Sequence, residues 1–156
     1  MIRNLTAAVI AVSSFAVATA QSDMDRPRWM ANMARHQKVV MYGVPAPYSA
    51  VRDPLPDTPA KLRRGRSLFD SHCATCHGWS GQGNGPEGIY LVPVPADLEW
   101  LGRTPKNKAD PYIYWSIAEG GKTFDSEMPA FKQTLSKQQI WALTAYLRAG
   151  MPHASP

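Results

Sequence analysis

The middle of the sequence reads Cys73-Ala74-Thr75-Cys76-His77, and this stretch holds both cysteines of the 156-residue chain. The two thiols stand three residues apart, and a histidine follows the second thiol directly. On one turn of helix, residues three apart lie on the same side, so both sulfur atoms face one ligand and the imidazole stands beside them. The spacing predicts a site where two sulfur atoms and one ring nitrogen hold a single large group.

This Cys-x-x-Cys-His pattern predicts covalent attachment of one c-type haem, with Cys73 and Cys76 bonded to its vinyl groups and His77 bound to the iron. Three alternatives are a redox-active dithiol, half of a zinc site and a structural disulfide. A dithiol oxidoreductase is expected in a β-α-β pattern, which the sequence lacks. Tetrahedral zinc needs four ligands, and there is no second Cys pair or His pair. A plain disulfide leaves the histidine unexplained, so haem c is favoured.

A haem that only transfers electrons needs a second axial ligand, and a thioether opposite histidine raises its reduction potential. Met128 is the predicted ligand among seven methionines. It lies 51 residues after His77, and the following Pro129 favours an extended backbone that projects the side chain inward. The alternative is a methionine used for packing or left on the surface. The other six lie in the first 41 residues or near the C-terminus. The predicted iron ligands are therefore His77 and Met128.

The first core helix is predicted from a cap at Thr58, with Pro59 in the first helical position, to about His72. Gly65 lies in its interior, where glycine costs about 1 kcal/mol relative to alanine. Such a glycine is typical of a place where a second helix crosses closely. The alternative is an incidental glycine.

Two further helices are predicted. Asp110-Pro111 indicates the start of the second and Gly120-Gly121 its end. The last helix begins at Ser136, with Gln139 three residues later in a capping-box pattern. Its apolar stripe is Ile140, Leu143 and Leu147. No strand-like alternation is long enough to indicate a sheet, so the predicted fold class is all-α.

Residues 1–20 are expected to be a secretory signal peptide, with a basic start at Arg3, an apolar run over 5–17 and small residues before cleavage after Ala20. An uncleaved membrane anchor is the alternative, but the apolar run is shorter than the roughly 20 residues needed to span a bilayer. No other stretch is apolar enough to do so. We therefore expect a periplasmic mature chain that begins at Gln21.

Several of these features occur together in one known family. Gly65, Phe69, the Cys-x-x-Cys-His run, the loop 78–88, Met128-Pro129 and a final helix with Tyr146 resemble the class I cytochrome c family over residues 58–150. The resemblance implies three to four helices around one covalently bound haem. It also implies that the first and last helices cross nearly at right angles through Gly65, Phe69 and Tyr146.

The resemblance further implies that a proline carbonyl accepts the ring N–H of the iron-binding histidine, a bond that fixes the ring and its basicity. Pro93 and Pro95 both qualify. Pro95 is preferred because the chain after it turns back toward the haem much as family loops do.

Composition and the resemblance together divide the chain into the signal peptide (1–20), an N-terminal extension (21–57), a cytochrome c domain (58–150) and a C-terminal tail (151–156). The extension is rich in proline and methionine, and we expect a short helix over 28–40 and extended backbone around residues 43–48 and 53–56. We interpret it as an arm that docks onto a redox partner. The alternative is that it folds back over its own domain.

The implied function is transfer of single electrons between a donor and an acceptor protein, without catalysis by this chain. A dehydrogenase or a terminal oxidase is a suitable partner, with this chain as a subunit or a dedicated carrier. The alternative is a haem enzyme or gas-binding protein with an open sixth position. The formal net charge of +5, without a nucleic-acid motif, indicates an acidic protein partner or an anionic surface rather than nucleic acid, with an ordinary mixed surface as the alternative.

Overall fold

A computed structural model describes residues 33–152, and this part of the chain is helical without any β-strand. The predicted all-α class is confirmed. The expected signal peptide, the first residues of the extension and most of the tail lie outside the described range. Within residues 33–152, no helix combines the length and apolar character that crossing a bilayer requires. The α-helices are α1 (Ala34–Tyr42), α2 (Pro59–His72), α3 (Ala74–His77), α4 (Lys106–Glu119) and α5 (Lys137–Arg148).

Helices α2 and α5 begin where the sequence predicts. The Thr58 hydroxyl accepts a hydrogen bond from the backbone N–H of Lys61 at 3.2 Å, and Pro59 fills the first helical position. Ser136 and Gln139 form both bonds of a capping box at the start of α5. These local bonds satisfy amide groups that the first turn of a helix leaves free.

The centre of the fold is the crossing of α2 and α5, as the glycine in α2 predicts. A Cβ atom on Gly65 would lie 2.2 Å from the Ala142 carbonyl oxygen and 2.6 Å from the Tyr146 Cβ. Only a residue without a side chain lets the two backbones approach this closely. One turn further along α2, Phe69 packs against Tyr146 with ring centroids 5.8 Å apart, and both rings are buried.

Helix α4 is longer than predicted. It begins at Lys106 rather than at Asp110, and Pro111 lies inside it. A proline there removes one backbone hydrogen bond, but tertiary contacts hold the first turns in place. Ala109 and Asp110 are buried, and the Asp110 carboxylate accepts a hydrogen bond from Arg148 of α5. The predicted end is confirmed, because Gly120 follows the helix with a φ of +66°.

The described part of the extension, which we call the N-terminal arm (residues 33–57), lies against the cytochrome c domain. Its helix α1 ends at Tyr42, two residues later than predicted, and a 3₁₀ turn at Tyr48–Ala50 replaces part of the expected extended backbone. The His36 ring meets Trp100 edge-on at 5.2 Å. The Tyr48 hydroxyl donates a hydrogen bond to Glu119 at the end of α4. Of the two alternatives for the extension, folding back is the one observed for this part.

Ion pairs fasten the last residues of the arm to the helices. Arg148 donates to the Asp57 carboxylate at 2.8 Å and also to Asp110. Lys61 pairs with Asp53 and Asp57. Burial alone would raise the pKa of Asp57, but the bond from Arg148 and the nearby lysines outweigh it and hold that pKa below its ordinary value. The end of the arm is thus tied by charge to α2 and to the last helix, α5.

Candidate haem site

One cleft brings together all five predicted site residues: Cys73, Cys76, His77, Met128 and Pro95. Cys73, between α2 and α3, and Cys76 of α3 contribute the thiols. His77 of α3 contributes the imidazole, and the loop between α4 and α5 contributes the thioether. Most of the wall is apolar, as a site for a large flat ring requires. The apolar wall residues are Phe69, Leu91, Pro93, Val94, Pro95, Ala96, Leu98, Trp100, Leu101, Ile113, Ile117, Phe124, Pro129, Phe131, Leu143 and Leu147.

Cys73 lies where α2 ends and α3 begins, and Cys76 lies within α3. The Cys73 N–H donates to the Phe69 carbonyl at 2.8 Å, and the His77 N–H closes the next turn on the Cys73 carbonyl at 2.8 Å. Both thiols are free rather than joined in a disulfide. Burial, with a smaller effect of Cys76, raises the pKa of Cys73 to about 12. Dithiol oxidoreductases need a thiolate of lowered pKa, so the environment of Cys73 argues against that function.

The hydrogen bond of the His77 ring determines which of its nitrogens is available to a metal. Nδ1 lies 3.1 Å from the Ala96 carbonyl oxygen. A carbonyl only accepts, so Nδ1 carries the proton and the neutral ring keeps its lone pair on Nε2. Burial lowers the pKa of His77, although the bond to Ala96 acts in the opposite direction. The ring is therefore in the neutral form that binds iron.

The acceptor of this bond differs from the prediction. We expected the Pro95 carbonyl, with Pro93 as the alternative, but the structure places the carbonyl of Ala96 there. The Pro95 carbonyl is directed elsewhere, since a Cβ on Gly83 would lie 2.2 Å from its oxygen. Both prolines still line the cleft. The prediction identified the loop and was wrong by one residue.

The Met128 segment is held against the end of α4 by backbone contacts. The Gly121 N–H donates to the Met128 carbonyl at 2.8 Å. A Cβ on Gly120 would lie 2.6 Å from the same carbonyl oxygen. The Met128 side chain is half-buried and packs against the core. The structure thus places this thioether in the wall of the cleft, and its role as an iron ligand stays a prediction.

A glycine-rich loop packs over the backbone of the Cys-x-x-Cys-His segment. Gly83 N–H donates to the His77 carbonyl at 2.8 Å, and Gly85 N–H donates to the Cys76 carbonyl at 3.1 Å. A Cβ on Gly88 would lie 2.0 Å from that Cys76 oxygen. The cluster of glycines after the motif was the available sequence signal for this close packing.

Sequence reasoning missed Arg35 altogether. Its side chain reaches from α1 into the wall of the cleft. The predicted division leaves residues 21–57 outside the cytochrome c domain, and no local sequence pattern around residue 35 indicates such a contact. The signal lies only in the tertiary structure.

The donor set fits haem c. Two thiols suit its two thioether bonds, and a neutral imidazole with a thioether is a ligand pair that haem iron accepts. Residues 33–152 contain no group of three or more His, Cys, Asp or Glu side chains placed to hold another metal ion. The apolar walls suit the faces of a porphyrin.

Comparison with known families agrees with this geometry. Residues 62–150 match the family model described as cytochrome c. The chain belongs to the cytochrome c family. The cytochrome c domain is therefore a haem domain for electron transfer, and both the predicted fold and the predicted family are confirmed.

Two relatives of the cytochrome c domain are cbb3-type cytochrome c oxidase subunits FixP. The one from Sinorhizobium medicae is 36% identical over 90 residues, which cover 53% of this chain and 28% of the relative. The one from Azorhizobium caulinodans is 36% identical over 91 residues, which cover 58% and 27%. This chain thus matches little more than a quarter of each relative.

A solved structure is also similar. A chain of the reducing HAO-like protein complex of Kuenenia stuttgartiensis matches with a TM-score of 0.53 and 25% identity. The match covers 74% of this cytochrome and 55% of that chain.

Proposed function

We propose that this cytochrome is a periplasmic carrier of single electrons with one haem, bonded to Cys73 and Cys76 and ligated by His77 and Met128. The observation that carries the proposal is the single cleft in which these four side chains meet. The chain has two cysteines, which is the number that one haem c uses. The signal-peptide pattern of residues 1–20 supports export.

The bound haem supplies a one-electron iron couple, and the protein residues set its surroundings. The Ala96 carbonyl fixes the His77 ring and its tautomer, so that Nε2 always presents its lone pair. The apolar wall excludes water and lowers the local dielectric constant, which favours the less charged reduced state. With the Met128 thioether as its second protein ligand, the iron would have no free position for a substrate. This arrangement suits electron transfer rather than catalysis.

The surface beside the cleft suits a protein partner. Leu91 and Pro93 line the cleft, whereas their neighbours Tyr90 and Val92 are 79% and 73% exposed. Trp79, two residues after the iron-binding histidine, is 66% exposed. Exposed apolar side chains at the edge of a redox site favour brief docking of another redox protein. Because relatives are named as oxidase subunits, we propose a dehydrogenase or a terminal oxidase complex as donor or acceptor.

Attachment is tested by haem stain on a denaturing gel. The wild-type chain should keep its colour, because thioether bonds survive denaturation. The double variant Cys73→Ser, Cys76→Ser should lose it. Covalent haem in that double variant would refute the assignment of these residues.

The sixth ligand is tested by Met128→Ala, with Met41→Ala as a matched control because Met41 is 70% exposed. Oxidised wild type should show the weak near-infrared-edge band of methionine-ligated ferric haem. Met128→Ala should abolish the band and lower the reduction potential, and the control should change neither. A band that persists in Met128→Ala would transfer the role to another methionine, whereas a wild type without the band would favour the alternative of a haem enzyme or gas-binding protein.

A further inference from the structure

The N-terminal arm delivers one positive charge to the haem cleft. Arg35 of α1 is the one lysine or arginine among the described residues that line this cleft. Its guanidinium lies over two aromatic rings, 4.8 Å from the Phe124 centroid and 5.1 Å from the Trp115 centroid. One of its terminal nitrogens, Nη2, donates to the Gly120 carbonyl. The side chain is thus held in a defined position.

The other terminal nitrogen of Arg35, Nη1, has no partner. It is buried and makes no hydrogen bond within residues 33–152. The hydroxyl of Ser116 is a second buried polar group on the cleft wall. Tyr112 links the two groups: burial raises the pKa of its phenol, whereas the charge of nearby Arg35 and a hydrogen bond with the Ser116 hydroxyl act in the opposite direction. A guanidinium nitrogen without a partner and a buried hydroxyl therefore lie beside the same ring, at one edge of a mostly apolar cleft.

An unpaired buried cation is costly, and proteins place such groups where a counter-charge compensates them. Burial lowers the pKa of Arg35 from its ordinary value, which expresses the same cost. Glu127 also lines the cleft, but it is exposed and forms no ion pair with Arg35. Among the described residues, the protein offers this guanidinium no carboxylate.

The carboxylates of the haem itself supply the missing charge. A haem carries two propionates, and guanidinium binds carboxylate with two parallel hydrogen bonds. We infer that Arg35 of the N-terminal arm, assisted by the Ser116 hydroxyl, binds a haem propionate and thereby raises the reduction potential of the haem. This inference rests on the proposed haem attachment. If it holds, the extension acts within the redox site by binding the haem, and not by docking onto a redox partner.

The physical consequence is electrostatic. A propionate that is paired with Arg35 contributes little net negative charge near the iron. Without the guanidinium, the negative charge favours the ferric state, and the reduction potential falls. The effect should be large because the groups are buried and weakly screened by salt.

The experiment compares three variants of the haem-loaded full chain by spectroelectrochemical titration. Arg35→Met keeps an unbranched side chain against the Trp115 and Phe124 rings but removes the charge, whereas Arg35→Lys keeps the charge. Lys38→Met is the matched control, because its ammonium lies on the same helix over the same Phe124 ring, 5.7 Å from the centroid, but does not line the cleft.

We expect Arg35→Met to shift the reduction equilibrium at least about tenfold toward the ferric state, which is about 59 mV for one electron. Arg35→Lys should keep most of the wild-type potential, and Lys38→Met should change it little. Equal small shifts of the reduction potential in Arg35→Met and Lys38→Met would overturn the inference, as would lower stability of Arg35→Met at an unchanged potential.

Haem stain on a denaturing gel separates this inference from the proposed function on which it rests. If the chain keeps its haem stain but Arg35→Met has the wild-type reduction potential, the role of Arg35 is refuted. If the wild-type chain loses its haem stain, the proposed function is refuted.

Discussion

Two junctions of the cytochrome differ in chemistry. Where α2 crosses α5, Gly65 lets backbone meet backbone, and Phe69 and Tyr146 exclude water. Where the N-terminal arm meets the domain, ring contacts such as that of Tyr48 with the core are joined by charged and polar bonds, through Tyr48, Asp57 and Arg35. The first junction depends on close packing, so any added atom lowers the free energy of unfolding. The second depends in part on hydrogen bonds and ion pairs, so its contribution to stability changes with charge and pH.

The largest effect is expected at the crossing. Gly65→Ala places a Cβ against a carbonyl oxygen and a buried Cβ, neither of which moves without separating the helices. We expect a loss of about 3 kcal/mol in the free energy of unfolding, because overpacking against backbone relaxes poorly. Denaturant unfolding measures it, with Ser67→Ala on the exposed face of α2 as control. A loss below about 1 kcal/mol would show that the crossing is looser than the structure indicates.

Removal of the whole extension tests the second junction. A mature chain that begins at Thr58 loses the contacts of Arg35 and Tyr48 and the pairing of Asp57 with Arg148. We expect it to keep its covalent haem but to lose about 2 kcal/mol of stability, since hydrogen bonds to charged groups are worth roughly 1.5–3 kcal/mol each and the arm loses conformational entropy when it packs. Thermal unfolding followed in the haem absorbance measures this. Unchanged stability with slower electron transfer to a partner would instead favour the docking interpretation.

A smaller loss is expected from the single hydroxyl of Tyr48. Burial first, and then the hydrogen bond to Glu119, raise the pKa of Tyr48 to about 12. The hydroxyl therefore donates at neutral pH, and Tyr48→Phe should cost about 1 kcal/mol there. The contribution is complete below the ordinary tyrosine pKa of about 10 and disappears as pH rises through 12. Wild type and variant should thus converge in alkali. Tyr42→Phe in the same arm, where the ring is 77% exposed, should have no effect at either pH.

The smallest effect is expected at Asp57, which is partly exposed. The lowered pKa of Asp57 means that the folded state favours its charged form. Its stabilisation is present above the ordinary aspartate pKa of about 3.9 and is lost as pH falls through the lower folded value. Asp57→Asn should cost less than about 1 kcal/mol at pH 7 and reduce the loss of stability on acidification. Asp125→Asn, at an exposed site, is the control. If it changes the pH dependence of stability as much as Asp57→Asn does, the cause is the change in net charge and not the pairing of Asp57 with Arg148.

The two junctions also differ in how far the sequence predicts them. Thr58, Ser136 and Gln139 are local capping signals, and the structure confirms both helix starts that they predict. Gly65 is an equally local sign of close contact. The contacts of the arm join distant residues. Arg35 bonds to Gly120, 85 residues later in the sequence, and Asp57 bonds to Arg148, 91 residues later. No periodicity or motif joins such distant residues.

The errors at the site have the same origin. The four cleft residues could be named because Cys-x-x-Cys-His and Met-Pro are chemical patterns. The choice between the carbonyls of Pro95 and Ala96 depends on how Gly83 packs on the loop, which is a matter of atomic contact. The early start of α4 likewise depends on Arg148 binding Asp110 from another helix.

The crossing at Gly65 also has a consequence for the order of folding. Ala142 and Tyr146 follow Gly65 by 77 and 81 residues, so α2 has no partner at the crossing until α5 reaches it. Leu143 and Leu147 of the same helix line the cleft, so one slow step completes both the crossing and the wall. Contacts so distant in sequence form slowly. We therefore expect Cys73 and Cys76 to stay accessible until α5 packs on α2, which gives haem attachment time to precede the closing of the fold.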